Sequence, residues 1–94
     1  IEVRIRPERI KISGHAGYAE PGKDIVCAAV TALTQTLIQS IENLTEDEIE
    51  YRISPGKAEI EYRNLSEKSK TLVDSFFVGI RLIADEFPDY VAIM

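Results

Sequence analysis

One histidine and one cysteine are the residues of this chain best suited to covalent chemistry, and they stand twelve positions apart. Both fall in the stretch GHAGYAEPGKDIVCAAVTALTQ, from Gly14 to Gln35. Spacing puts His15 on a glycine-flanked loop and Cys27 just inside the start of an apolar helix. A cysteine nucleophile acts as its thiolate, which a nearby base and an electropositive surrounding favour. A helix start offers backbone N–H groups without partners and the positive end of the macrodipole. The same groups are suited to the oxyanion of a tetrahedral intermediate.

Asp24 is the expected N-cap, which makes Cys27 the third residue of the helix. That assignment sets up a competition. A capping Asp24 takes the N–H of Val26 or Cys27 and leaves fewer donors for a substrate. Either another backbone N–H serves, or Asp24 turns toward His15 and orients the imidazole. Gly14, Gly17 and Gly22 allow positive φ, so residues 14–23 read as a hinged loop that carries His15. Thr31 follows Cys27 by one helical turn. The plainer alternative is a core cysteine, since Ala28-Ala29-Val30 comes next and free cysteines pack as small hydrophobes.

The elements around this stretch follow from hydrophobic periodicity. Ile1, Val3 and Ile5 alternate with Glu2, Arg4 and Arg6, which predicts a half-buried strand. Pro7-Glu8-Arg9 turns the chain, and Ile10-Lys11-Ile12 resumes the alternation as a hairpin. Val26, Val30, Leu33, Leu37, Ile41 and Leu44 then recur at helical spacing. Thr45-Glu46-Asp47-Glu48 ends that helix as a solvated acidic run. Ile49, Tyr51 and Ile53 predict a strand, and so do Ala58, Ile60 and Tyr62. Pro55-Gly56 lies at the centre of the turn that joins them.

A second helix opens at Ser66 and carries Leu72, Val73, Phe76, Phe77, Ile80, Ile83 and Phe87, with Pro88 as its stop. Phe76 and Phe77 are expected in the core, and residues 90–93 as a short closing strand. The order ββαββα(β) over residues 1–94 predicts a single α+β domain. Its two helices pack on a small, mainly antiparallel or mixed sheet.

Composition narrows the function further. Ninety-four residues, 45% hydrophobic and 29% charged, suit one folded domain with one core. A net charge of −5 argues against a protein that grips nucleic acid through phosphates and favours a basic substrate. A single cysteine makes no internal disulfide. One cysteine and one histidine fall short of a structural zinc site, so neither metal nor cofactor is expected. No leader pattern and no run of about eighteen apolar residues occurs, so the cytoplasm is expected and a membrane partner is not.

Gly14-His15-Ala16-Gly17, Gly22 and Asp24-Ile25-Val26-Cys27-Ala28-Ala29-Val30 closely resemble the signature of the bacterial ribosomal-processing cysteine protease family, Prp. The likeness extends through the ββα-ββα layout to Phe87-Pro88-Asp89-Tyr90. It implies a cytoplasmic endopeptidase that removes a short N-terminal extension from a large-subunit ribosomal protein. By this resemblance Cys27 matches the nucleophile, His15 the base and Asp24 the family's acidic position. It also implies a homodimer with a flexible loop over the active site. Thr31 departs from the family, which commonly has Ser there; it keeps the hydroxyl and adds a β-methyl. The rival reading is a ribosome-assembly factor that binds the extended tail without cutting it. A redox-sensing thiol is weaker, for want of a resolving cysteine in this chain.

Overall fold

The computed structural model describes residues 1–20 and 23–94 and has the element order ββαββαβ. β1 (Glu2–Arg6) and β2 (Arg9–Ser13) form the expected hairpin, with Val3 opposite Ile12 and Ile5 opposite Ile10. β4 (Lys57–Tyr62) pairs antiparallel with β2, which sets Ile60 beside Ile10 and Ala58 beside Ile12. β3 (Ile49–Ser54) pairs with β4 across the Pro55-Gly56 turn. β5 (Ala92–Ile93) lies parallel to β1 at the other edge. The sheet order is β3-β4-β2-β1-β5, so the sheet is mixed, within the α+β class expected from the sequence.

Two helices of 20 residues each cover one face of this sheet. α1 (Ile25–Leu44) buries Val26, Val30, Leu37, Ile38 and Ile41, and α2 (Glu67–Glu86) buries Val73, Phe76 and Ile80. They close over Val3, Ile10, Ile12, Ala58 and Ile60. Each fully buried Ile in this cluster contributes about 2 kcal/mol by leaving water. The helices also meet each other closely. A Cβ at Gly79 of α2 would stand 2.9 Å from Leu33 Cδ1 of α1, so the Leu33 side chain packs directly over the glycine. α1 has the length and hydropathy of a membrane span, but its apolar stripe is the one packed in this core.

Four sequence expectations need correction. The strand pattern Ile49, Tyr51, Ile53 predicts burial, yet Tyr51 is 41% and Ile53 45% exposed. β3 is an edge strand: Ile49 packs against the core, while the Tyr51 hydroxyl reaches outward to donate to Glu42 of α1 at 3.4 Å. Of the two phenylalanines expected in the core, Phe76 is buried and Phe77 is only half-buried at its margin. The closing strand shortens to Ala92–Ile93 because the N–H groups of Tyr90 and Val91 both donate to the Phe87 carbonyl, at 3.0 and 3.1 Å. That turn takes up the bonds a longer strand would need.

The acidic run after α1 also differs from a solvated loop. Glu46 and Glu48 are exposed, but Asp47 accepts the N–H and the hydroxyl of Ser66 at 3.0 and 2.6 Å. The hydroxyl of fully buried Ser69 donates to the same carboxylate oxygen. The Asp47 N–H donates to Thr45 Oγ1 at 3.1 Å, and the Thr45 hydroxyl donates to the Ile41 carbonyl at 2.7 Å. Asp47 thereby ties the end of α1 to the start of α2. The hydroxyls of Ser66 and Ser69, then the N–H of Ser66, hold its carboxyl below the ordinary value of 3.8.

Candidate active site

α1 begins where Asp24 leaves the helical conformation, at φ −80° and ψ 99°, and its Oδ1 accepts the N–H groups of Val26 and Cys27 at 3.0 and 2.9 Å. Its Oδ2 accepts the N–H of Tyr18 at 3.1 Å. Both oxygens therefore serve backbone donors. Asp24 is the cap and a clamp on the preceding loop, and among the described residues no hydrogen bond joins it to His15. The Cys27 N–H is the main cause that holds this carboxyl below 3.8. Desolvation works against it, while the Tyr18 N–H, the Cys27 thiol and the Ala19 N–H lower it further.

The loop is fixed at every second residue. Gly14 donates its N–H to the Gly56 carbonyl at 2.8 Å, Ala16 to Cys27 Sγ at 3.2 Å, and Tyr18 to Asp24. The Tyr18 ring then meets Phe87 and Tyr90 edge to face, with centroids 5.5 and 5.2 Å away. Gly14 and Gly17 take φ of +94° and +66°, the left-handed region where a side chain is strained. Gly22, the third glycine expected in the hinge, lies outside the described residues.

Cys27 is half-buried and His15 exposed, and both line one groove of about 440 Å³ between α1 and the β3–β4 hairpin. The imidazole lies against Gly56, where a Cβ would stand 2.7 Å from Nε2. Among the described residues no hydrogen bond joins His15 to Cys27. Thr31 lines the groove one turn beyond Cys27, without a hydrogen bond to the sulfur among the described residues. The opposite wall carries Ile53, Pro55 and Lys57. A broader hollow of about 1220 Å³, bordered by Arg9, Glu42, Asp47 and Tyr62, contains neither His15 nor Cys27.

The structure thus brings His15, Cys27 and Thr31 to one groove, with Asp24 beneath the sulfur as a support. Two contributors escape sequence reasoning. The Ala16 N–H is a backbone group and carries no sequence signal. Gly56 is visible only as a turn residue, although the exposed apolar Ile53 beside it marks an unfilled surface. Among the described residues, no group of three or more His, Cys, Asp or Glu is placed to hold a metal ion.

A thiol that receives a backbone donor, with an imidazole on the same groove, is equipped for nucleophilic attack on a carbonyl. The sequence model of the family described as cysteine protease Prp matches residues 1–92. This chain belongs to the cysteine protease Prp family. It is accordingly a protease, and the rival reading as a non-cutting assembly factor falls away. No curated protein matches the chain. Among solved structures, the ribosomal processing protease Prp from S. aureus with a covalently linked product peptide has a TM-score of 0.89 at 19% identity. That match covers 98% of this chain and 93% of the other, and at such identity it shows the Prp fold. SMU.848 from Streptococcus mutans has a TM-score of 0.79 at 29% identity, over 98% of this chain and 88% of its own. The S. aureus protease with a substrate peptide has a TM-score of 0.84 at 18% identity, over 99% and 94%.

Proposed function

We propose that this Prp-family protease is an endopeptidase that removes a short N-terminal extension from a large-subunit ribosomal protein, with Cys27 as nucleophile and His15 as base. The carrying observation is the position of Cys27 Sγ. It sits at the start of α1, takes the Ala16 N–H at 3.2 Å and opens on the groove that His15 lines. Support for the substrate comes from the S. aureus fold relatives, which are described as a ribosomal processing protease bound to substrate and product peptides. The net charge of −5 suits a basic ribosomal protein through long-range attraction.

In this mechanism His15 takes the thiol proton and the sulfur attacks the scissile carbonyl carbon. As the C–S bond forms, the carbonyl electron pair moves onto oxygen. Asp24 occupies the N–H groups of Val26 and Cys27, which leaves fewer free donors at the helix start. The Ala16 N–H, already directed at the sulfur, serves the oxyanion instead. His15 then gives its proton to the leaving amine as the C–N bond breaks. Water, deprotonated by His15, attacks the thioester and frees the extension as a carboxylate, while the thiol regains its proton.

The same proposal places the protein in the cytoplasm, where its substrate is made, and as a homodimer. Val78 and Leu82, exposed one turn apart on α2, give a second copy an apolar surface to cover. The test is digestion of an extended large-subunit ribosomal protein followed by intact mass measurement. One cut that shortens the N-terminus is expected, and an unchanged mass under conditions that keep the protease folded would refute the reading.

A further inference from the structure

The turn between β3 and β4 reverses the chain and also touches the catalytic loop twice. We infer that Gly56 is a positioning residue for His15, because the turn seats the imidazole and only a residue without a Cβ leaves room for it. A Cβ at Gly56 would lie 2.7 Å from Nε2 and 3.2 Å from both Cδ2 and Cε1, so the far edge of the ring rests on the Gly56 backbone. The Gly56 carbonyl also accepts the N–H of Gly14, the residue before His15, at 2.8 Å. One turn residue therefore holds the loop backbone and the side chain that the loop presents.

Turn geometry does not by itself account for Gly56. Its φ of +71° is left-handed, a region that Asn also enters with little strain. The ring imposes the stricter condition, because Asn carries a Cβ. His15 is exposed and would otherwise sample several rotamers, so a backbone seat narrows its orientations before substrate arrives. Ile53, Pro55 and Lys57 of the same hairpin form the groove wall, so a peptide lying there touches the seat as well.

This inference rests on His15 being the base, and the experiment separates the two ideas. Cleavage kinetics are measured for the wild type, Gly56→Ala, Gly56→Asn, His15→Ala and the His15→Ala/Gly56→Asn double variant. Both Gly56 variants are expected to lose about 10- to 100-fold in kcat, the scale of a misplacement near 1 Å, with KM little changed. Gly56→Asn relieves the backbone strain of the Ala variant, so a loss it shares comes from the Cβ. In the His15→Ala background, Gly56→Asn is expected to change kcat by less than about twofold, as for residues acting as a unit. His15 is the chain's only histidine, so its Cε1–H resonance follows the ring directly and is expected to shift in both Gly56 variants. Wild-type kcat in folded Gly56→Asn, or an equal loss with and without His15, overturns the seat while the base stands. Wild-type turnover by His15→Ala overturns both.

Discussion

Asp24 and Asp47 each gather hydrogen-bond donors at the entrance to a helix, and the two junctions they build are used differently. Around Asp47 the donors are the Ser66 N–H and hydroxyl and the Ser69 hydroxyl, all at the start of α2, and Thr45 anchors the same knot to α1. Around Asp24 the donors are the Val26 and Cys27 N–H groups of α1 and the Tyr18 N–H of a loop. The first junction closes helix onto helix. The second holds a loop to a helix and leaves Cys27 Sγ facing a groove. Similar carboxylate chemistry thus secures the fold at one end and the site at the other.

Substitutions at the site should affect turnover far more than melting, and those at the Asp47 junction should do the reverse. Cys27→Ala is expected to lower cleavage by at least about 10³-fold, with Tm close to wild type, in a product assay paired with calorimetry. His15→Ala is expected to lower kcat by roughly 10²- to 10⁴-fold, the span of general base catalysis, with KM little changed. Its exposed ring makes a large Tm change inconsistent with this account.

Asp24→Ala belongs to both categories. It removes the cap of α1 and the clamp on Tyr18, so a drop in Tm is expected together with a kcat loss of about tenfold. Asp47→Ala should lower Tm by a few degrees and leave kcat at 25 °C within about twofold of wild type, because no reacting group depends on it. A larger kcat loss in Asp47→Ala than in Asp24→Ala would erase the distinction between the junctions.

Acidity gives the smallest and most specific contrast. Both carboxyls lie below 3.8 in the folded protein, so each contributes stability that is present above that pH and is lost as pH falls through the lowered folded value. Asp47→Asn should therefore flatten the acid limb of the stability curve, read as Tm between neutral pH and about pH 3. Cleavage measured near neutrality should not follow that change.

Much of this arrangement is legible in the sequence because it depends on local pattern. Alternation in Ile1–Arg6 and in Ala58–Tyr62 marks strands, and Asp24 followed by an apolar 3.6-residue period marks the start of α1 and the place of Cys27. The signature around His15 and Cys27 identifies the family over nearly the whole chain. What escapes depends on contacts between distant segments. Gly14 and His15 meet Gly56 more than forty positions away, and no periodicity encodes that meeting. Asp47 reads as one of three consecutive acids until Ser66 and Ser69 fold back onto it. Likewise, the exposure of Ile53 follows from the place of β3 at the sheet edge, which strand pattern does not set.

The most direct test of the central claim is intact mass spectrometry of the protease quenched in acid during turnover of an extended ribosomal protein. The account predicts a transient adduct with the mass of the N-terminal extension, acylated on Cys27 and absent from Cys27→Ala. Cleavage that proceeds undiminished in Cys27→Ala, with no adduct on the wild-type chain, would contradict it.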